Sequence, residues 1–468
     1  MQRAFLRLCL VLLVSGGLGA CASHPSVSGN ASTPASLDEA QSQELHRALD
    51  AYIDLRFEAD SEATSRLVEM AETMGANVLN IETLLRKGRN EYPAVEAARL
   101  GKAEVVNVDC YHVDYSTKFH LYIPSSYDPS VATPVMLIGH GGNSSMSAQR
   151  ALDTAESYLS AYEHVLAEEH GAIAIAPASE RGWGHIGNSI LFSALSRVQR
   201  DFHVDPDRIY VLGQSMGGHL AYRAALSHGD RFAAFSPQSG GYAKYIESGA
   251  IQNLFTESGY VTFGASEPYD LNETNLALGA WLGDRSYDWV FREKSGGHEI
   301  YADEMPAIST FFKERQRDMY RDHVFYTAGG SMLFTKTWEI DGWPEHQINL
   351  DRPMRWNQRY WLEMTSRVGD DEAPTLLTMD GEIQEGNRIA IQSDGVRQMR
   401  VWLHASMVNL QEKVVIEVNG EVLHDAVVPH AMAQMLELVR EFDDRGRVYH
   451  AYVDLAITTD KSVPTPAP

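Results

Sequence analysis

The chain has 468 residues, 44% hydrophobic and 22% charged, with 36 Gly and 18 Pro. Those proportions exclude a collagen repeat, a wholly disordered chain and a disulfide-dense miniprotein; the length suits two or three domains of roughly 100–200 residues. Lys and Arg total 39 against 63 Asp and Glu, a formal net charge of −24, which repels phosphate backbones and argues against nucleic acid as a partner. No polyacidic block stands out, so the acids read as a solvated surface. Of the three Cys, Cys9 and Cys21 fall at the start. Cys110 is alone in the body, which therefore holds no intrachain disulfide.

Residues 1–20 read as an export signal. Arg3 and Arg7 precede a short apolar run, Leu8 to Val14, too short for a permanent span of ~20 residues. The run leads into Leu18-Gly19-Ala20-Cys21, which resembles a bacterial lipobox. Its small residues let a peptidase hold extended backbone, and the Cys21 sulfur would take the diacylglycerol. The resemblance to Gram-negative lipoprotein sorting, with Ala at position 22, implies the outer membrane, on its periplasmic or surface face. Residues 21–37, rich in Ser, Ala and Pro, read as a flexible tether.

Residues 38–100 form a helical extension: Leu45, Leu49, Ile53 and Leu55, then Leu67, Met70 and Met74, recur at helical spacing, which predicts two or three helices over 38–87. From 101 to 322 the pattern predicts an α/β domain. Val105, Val106 and Val108 begin a strand; Phe119, Leu121 and Ile123 alternate with His120 and Tyr122. Short apolar runs at 135–138, 172–176 and 209–212 suit central strands, and helical stretches at 150–169 and 187–202 lie between them. Alternating strands and helices imply a parallel sheet covered on both faces. From 323 to 457, β-prone runs at 359–368, 388–392, 399–404, 414–418 and 448–457, with Asn419-Gly420 as a hairpin turn, predict a mainly β, sandwich-like domain. Residues 458–468, with three Pro, read as a disordered tail.

Chemistry concentrates in the middle domain. Gly213-Gln214-Ser215-Met216-Gly217-Gly218 follows strand 209–212 and precedes the apolar helical run His219 to Leu226. Strand, G-x-S-x-G and helix make a nucleophile elbow, with the Ser215 hydroxyl exposed on a strained turn. Serine needs a base to take its proton. In this arrangement the acid and then the base follow the nucleophile along the chain. His298, in Gly296-Gly297-His298-Glu299, follows the strand candidate 289–291 and precedes the helical run 303–314. His219 and His228 belong to the helix behind the elbow, and His323 lies beyond the last helix. The acid should follow strand 260–264; Glu267 comes first and Asp270 competes with it. One oxyanion donor should be the Met216 N–H; another should come from Gly141 or Gly142, in His140-Gly141-Gly142-Asn143 after strand 135–138. Trp183, after strand 172–176, lines the acyl pocket or simply packs. With 18 His but no H-E-x-x-H or C-x-x-C, no metal site is expected. No P-loop or G-x-G-x-x-G marks a nucleotide site.

Tyr122-Ile123-Pro124, Tyr127-Asp128-Pro129, His140-Gly141-Gly142, Asp205-Pro206-Asp207-Arg208-Ile209-Tyr210, Gly213 to Gly218 and Phe232-Ala233-Ala234 follow one another in order. This series resembles the poly(3-hydroxybutyrate) depolymerase and feruloyl esterase branch of the α/β-hydrolases, and related prolyl-oligopeptidase-type serine hydrolases. It spans about residues 115–320. The resemblance implies an α/β-hydrolase fold, a triad of Ser215, Glu267 and His298, and no cofactor; relatives usually carry Asp where this sequence has Glu267. The expected function is a lipid-anchored esterase acting on a small or polymeric ester through an acyl-enzyme. The alternatives are a serine peptidase with the same machinery and a non-catalytic surface binding protein.

Overall fold

The structure is a computed structural model that describes residues 36–457, except 57–59, 61, 144, 181, 242–249, 284–286, 330–356 and 368–375. The export signal with Cys21 and the tail from 458 lie outside the described residues.

Three helices open the described chain: α1 (Glu39–Leu55), α2 (Ala63–Thr73) and α3 (Val78–Arg86). Asp38 and Gln41 cap α1 reciprocally, as Asn77 and Asn80 cap α3, so the first orphan N–H groups find side-chain acceptors. Eight strands then build a mixed sheet: β1 (Lys102–Asp109), β2 (Ser116–Ile123), β3 (Thr133–Gly139), β4 (Ile173–Pro177), β5 (Val204–Gln214), β6 (Ala234–Gln238), β7 (Gly259–Gly264) and β8 (Trp289–Lys294). Their order is β1-β2-β4-β3-β5-β6-β7-β8. β2 is antiparallel to both neighbours, and every pairing from β4 to β8 is parallel.

Among the described residues, five helices cover this sheet: α4 (Ala148–Tyr162), α5 (His185–Asp201), α6 (Met216–His228), α7 (Leu271–Gly283) and α8 (Met305–Lys313). Alternate residues of β3 serve opposite faces. Val135 and Leu137 join Ile190, Leu195, Leu220 and Leu278 of α5, α6 and α7. Met136 and Ile138 join Leu159, Tyr162, Ile308 and Phe312 of α4 and α8. Burial on both faces explains why β3 and β4 read as continuous apolar runs. β6 is buried along its whole length too, but Ser236 and Gln238 broke the pattern that would have marked it.

Nine described strands follow: β9 (His323–Gly329), β10 (Gln358–Arg359), β11 (Leu362–Arg367), β12 (Leu376–Gln384), β13 (Arg388–Asp394), β14 (Val396–Leu403), β15 (Val414–Val418), β16 (Glu421–Ala426) and β17 (Ala451–Ala456). They form sheets β16-β15-β13-β12-β9 and β10-β11-β14-β17. Tyr326, Met379, Ile391 and Ile416 of the first share one core with Leu362, Met399, Val401 and Val453 of the second, the packing of a β-sandwich. A helix the sequence pattern did not single out, α9 (Met432–Phe442), is inserted before β17. Leu45, Leu49, Ile53 and Leu84 of the N-terminal helices pack on its Met435, Leu436 and Val439.

The seam between the eight-stranded sheet and the sandwich is charged and buried. Arg317 donates to Asp444 at 2.6 and 3.0 Å and to Asp207 at 2.9 Å. Arg447 pairs with Asp230 at 2.8 Å. Arg359 pairs with Glu257 and donates to the carbonyls of Ala225, Leu226 and Asn253. A Cβ on Gly229 would lie 2.3 Å from the Glu257 carboxyl carbon, so only glycine lets this pair close. Burial by itself would raise the Asp444 carboxyl, yet Arg317 and Arg231 hold it far below its ordinary range. These acids depart from the solvated surface that composition suggested.

Candidate active site

β5 ends at Gln214, and α6 begins at Met216. Ser215 between them has φ 60° and ψ −119°, a region that side-chain-bearing residues rarely occupy. The surroundings hold it there. Its N–H donates to the Gln238 carbonyl of β6 (2.9 Å), and its carbonyl accepts from the His219 N–H (3.0 Å). The glycines at 213 and 217 answer a steric demand. A Cβ would lie 2.3 Å and 1.9 Å, respectively, from the Gly139 carbonyl oxygen, so any side chain would force β3, β5 and α6 apart.

His298 sits on the loop after β8. Its Nε2 is 2.8 Å from the Ser215 Oγ and its Nδ1 is 2.6 Å from Glu267 Oε2. Glu267 Oε1 accepts the Gly264 N–H at 3.1 Å. The Glu267 side chain is fully shielded while that of His298 is 32% exposed. With Glu267 as acceptor, the imidazole proton sits on Nδ1, and the Nε2 lone pair faces the serine hydroxyl. The loops bearing acid and base are bound to each other. Ser266 N–H of the acid loop donates to the Gly296 carbonyl of the base loop (3.1 Å); within the base loop, Tyr301 Oη donates to the Gly297 carbonyl (2.6 Å). Burial, with Glu299 and Glu267 nearby, pushes the Tyr301 hydroxyl up to about 12, so it stays a donor. Asp270 is exposed, and its carbonyl accepts the Thr274 N–H at the start of α7 (3.0 Å); the carboxylate at the imidazole belongs to Glu267.

The glycine loop after β3 is pinned from beneath. His140 is fully buried. Its Nδ1 donates to the Gly141 carbonyl (2.7 Å), and its Nε2 accepts the Ser179 N–H (3.0 Å). Burial lowers the pKa of this imidazole, which keeps Nε2 an acceptor. A Cβ on Gly141 would lie 2.0 Å from the Tyr158 hydroxyl. That hydroxyl donates to Gln214 Oε1 at 2.6 Å. Gly142 has φ 123°. Met146, against Gly142, packs with Met216, which ties this loop to the elbow. First-turn N–H groups such as that of Met216 have no partner within their own helix, so α6 presents donors beside Ser215. Trp183 takes the packing alternative: it is 4% exposed, and its Nε1 donates to the His140 carbonyl at 2.8 Å. It supports the loop from inside the fold.

Sequence reasoning set His219 aside as part of the helix behind the elbow and missed Tyr158, Gln238 and Tyr301. Each was one polar residue in an otherwise apolar or loop segment, and only Gln238, closing the short run after Phe235, lay where a strand signal could have flagged it. A separate group, Glu82, His404 and His450, has ligand atoms within 4.8 Å of one another. Ser406 N–H donates to His404 Nδ1 (3.0 Å), so the neutral ring carries its proton on Nε2, facing Glu82 at 3.2 Å. The cluster is thereby arranged as a hydrogen-bonded clamp between α3 and the sandwich. A cavity of about 440 Å³ beside Thr133, Pro134 and His170 lies at the start of β3, the opposite end of the sheet from Ser215.

Residues 112–250 match the family described as putative esterase. A bifunctional acetylxylan esterase/xylanase from Neocallimastix patriciarum is 27% identical over 129 residues, which are 26% of this chain and 17% of that protein; the chain thus spans under a fifth of that relative. A ferulic acid esterase aligns over 46% of this chain and 98% of its own, at 16% identity and a TM-score of 0.38. FphF, a fluorophosphonate-binding serine hydrolase of Staphylococcus aureus, aligns over 46% and 98%, at 17% identity and a TM-score of 0.37. No described helix is long and apolar enough to cross a membrane.

Proposed function

We propose that the chain is a serine hydrolase that cleaves carboxylic esters. The observation that carries this reading is the unbroken chain Ser215 Oγ, His298, Glu267 Oε2, with links of 2.8 and 2.6 Å, at the mouth of a glycine loop. In the reaction Ser215 Oγ bonds to the ester carbonyl carbon as its proton passes to His298 Nε2. Glu267 stabilises the imidazolium at Nδ1. The oxyanion is held by the N–H of Met216 and one from the Gly141–Gly142 segment. The C–O bond to the alcohol then breaks, and the alcohol departs with the proton from His298. Water, deprotonated by His298, attacks the acyl-enzyme and releases the acid, which restores the Ser215 hydroxyl. The match to the esterase family supports an ester over a peptide as substrate.

Fluorophosphonate labelling tests the reading: the wild type labels and Ser215→Ala does not. A folded wild type that fails to label leaves a surface binding protein as the better account. Hydrolysis of chromogenic peptides in preference to aryl esters would instead make it a peptidase. We also propose that Cys21 carries the lipid that holds the enzyme at the outer membrane. The support is the sequence pattern around Cys21. Cys21→Ala should release the protein from the membrane fraction; unchanged fractionation would refute the anchor.

A further inference from the structure

The segment after β6 touches both sides of the catalytic serine. Ser239 Oγ donates to the Glu299 carbonyl next to His298 (3.2 Å). Two residues on, Gly241 meets His219, which stands in the first turn of α6. The His219 ring lies near enough to His298 for the two charges to interact. A Cβ on Gly241 would lie 2.2 Å from the Leu271 side chain and 3.8 Å from the His219 ring, so Leu271 and His219 flank the same glycine. Two residues before Leu271 is Tyr269, 89% exposed. Two before that is Glu267. These contacts, with the chain itself running from Leu271 back through Tyr269 to Glu267, outline a rim from Ser215 through His219 and Gly241 to His298. On it, Tyr269 and Asp270 hold φ of 62° and 58°, an uncommon backbone for such residues and one that clusters at functional sites.

Distances fix the His219 tautomer. Gly241 presents its carbonyl oxygen to Nδ1 at 2.7 Å and its N–H at 3.2 Å. Two lone pairs repel at the shorter distance, so Nδ1 carries the proton and donates. Burial, with Arg223 and His298 nearby, lowers the pKa of this ring and favours its neutral form. Nε2 then offers a lone pair: an acceptor, suited to a hydroxyl and unsuited to a carboxylate or phosphate.

We propose that His219 and Tyr269 are positioning residues for the substrate of Ser215: His219 Nε2 accepts a hydrogen bond from a hydroxyl on a ring that lies against the face of Tyr269. Aromatic faces favour flat apolar surfaces, whether of an aryl ring or of a sugar. The proposal rests on the ester-hydrolase reading above.

The experiment uses the full chain and two substrate pairs, each differing by ring hydroxyls. Methyl cinnamate against methyl 4-hydroxycinnamate places the ring on the acyl side; tetrahydropyran-4-yl acetate against 3-O-acetyl xylose places it on the alcohol side. The wild type should prefer the hydroxylated member of one pair, which identifies the source of the ring. His219→Phe keeps a ring and loses the acceptor; it should cut that preference about tenfold, through KM more than kcat. His219→Gln, whose amide oxygen can reach the Nε2 position, should restore part of it. Tyr269→Ala, which removes an exposed ring and no packing, should raise KM for both members of that pair. Equal preference in the wild type and His219→Phe, or no recovery in His219→Gln, overturns the rim. Fluorophosphonate labelling separates the two failures: a wild type that labels without such discrimination sinks the rim alone, and one that does not label sinks the hydrolase reading with it.

Discussion

Ser215 and Asp444 mark two regions that treat unfavourable groups in opposite ways. At the carboxyl end of the sheet, Ser215 keeps a left-handed backbone and His298 stays 32% exposed. The chemical groups meet through single hydrogen bonds, with solvent at hand. At the seam, Asp444 and Arg317 are 2% and 1% exposed, and each charge is gripped by several partners. Strain and access suit the proposed chemistry at the first place; at the second, dense pairing joins the sheet to the sandwich. The sandwich is therefore a structural part of the molecule that carries the site, and variants at the two places should separate rate from stability.

Ser215→Ala should give the largest effect. Loss of the nucleophile should lower ester turnover by at least roughly 10⁴-fold, measured with an aryl ester, while the thermal unfolding midpoint moves little. Glu267→Gln comes next. The amide no longer fixes the proton on Nδ1, and the imidazolium loses its counter-charge, so kcat should fall by about 10⁴-fold or somewhat less. A fall of only a few fold would mean that the 2.6 Å contact does not orient the base.

Asp444→Asn reverses the pattern. It leaves Arg317 buried with one carboxylate fewer, and should destabilise the fold by about 3–5 kcal/mol in chemical denaturation, with turnover per folded molecule unchanged. The same carboxyl sets an acid limit. Its folded pKa is depressed, so below the ordinary carboxylate range the unfolded chain binds a proton that the folded one refuses. This contribution is thus complete above about pH 5 and is lost progressively as pH falls through the ordinary carboxylate range toward the depressed folded value. Asp444→Asn should flatten that loss in denaturation curves taken between about pH 5 and 3. An unchanged slope would place the acid sensitivity elsewhere.

The two regions also differed in how far the sequence revealed them. The elbow was legible because glycines at 213 and 217 and a serine between them stand where a strand gives way to a helix. The histidine that meets Ser215 was legible because a glycine-flanked histidine follows a late strand. Glu267 and Asp270 could not be separated from pattern, since a shift of three residues in a loop changes no periodicity; Gly264 and the loop bonds around it decide between them. The seam was invisible. Asp207, Asp230, Glu257, Arg317, Arg359, Asp444 and Arg447 are scattered over the chain, and each alone reads as a solvated charge. Only tertiary contact makes them a cluster. For the same reason α9 was missed: its apolar face pairs with helices nearly 400 residues earlier in the chain, inside a run of strands.

The smallest expected effect lies where the two regimes meet. His140 is buried as deeply as the seam residues, yet it shapes the glycine loop at the reactive end. Trp183 Nε1 satisfies its carbonyl, and Ser179 satisfies its ring. Trp183→Phe keeps an aromatic packing partner and strands the carbonyl, which should cost about 1–3 kcal/mol in unfolding free energy. The loop loses only one anchor, because Nδ1 of His140 still holds the Gly141 carbonyl, so kcat should fall by no more than severalfold while KM holds. If Trp183→Phe instead raised KM strongly with kcat unchanged, the indole would be touching substrate. The site would then extend through the glycine loop to Trp183 itself.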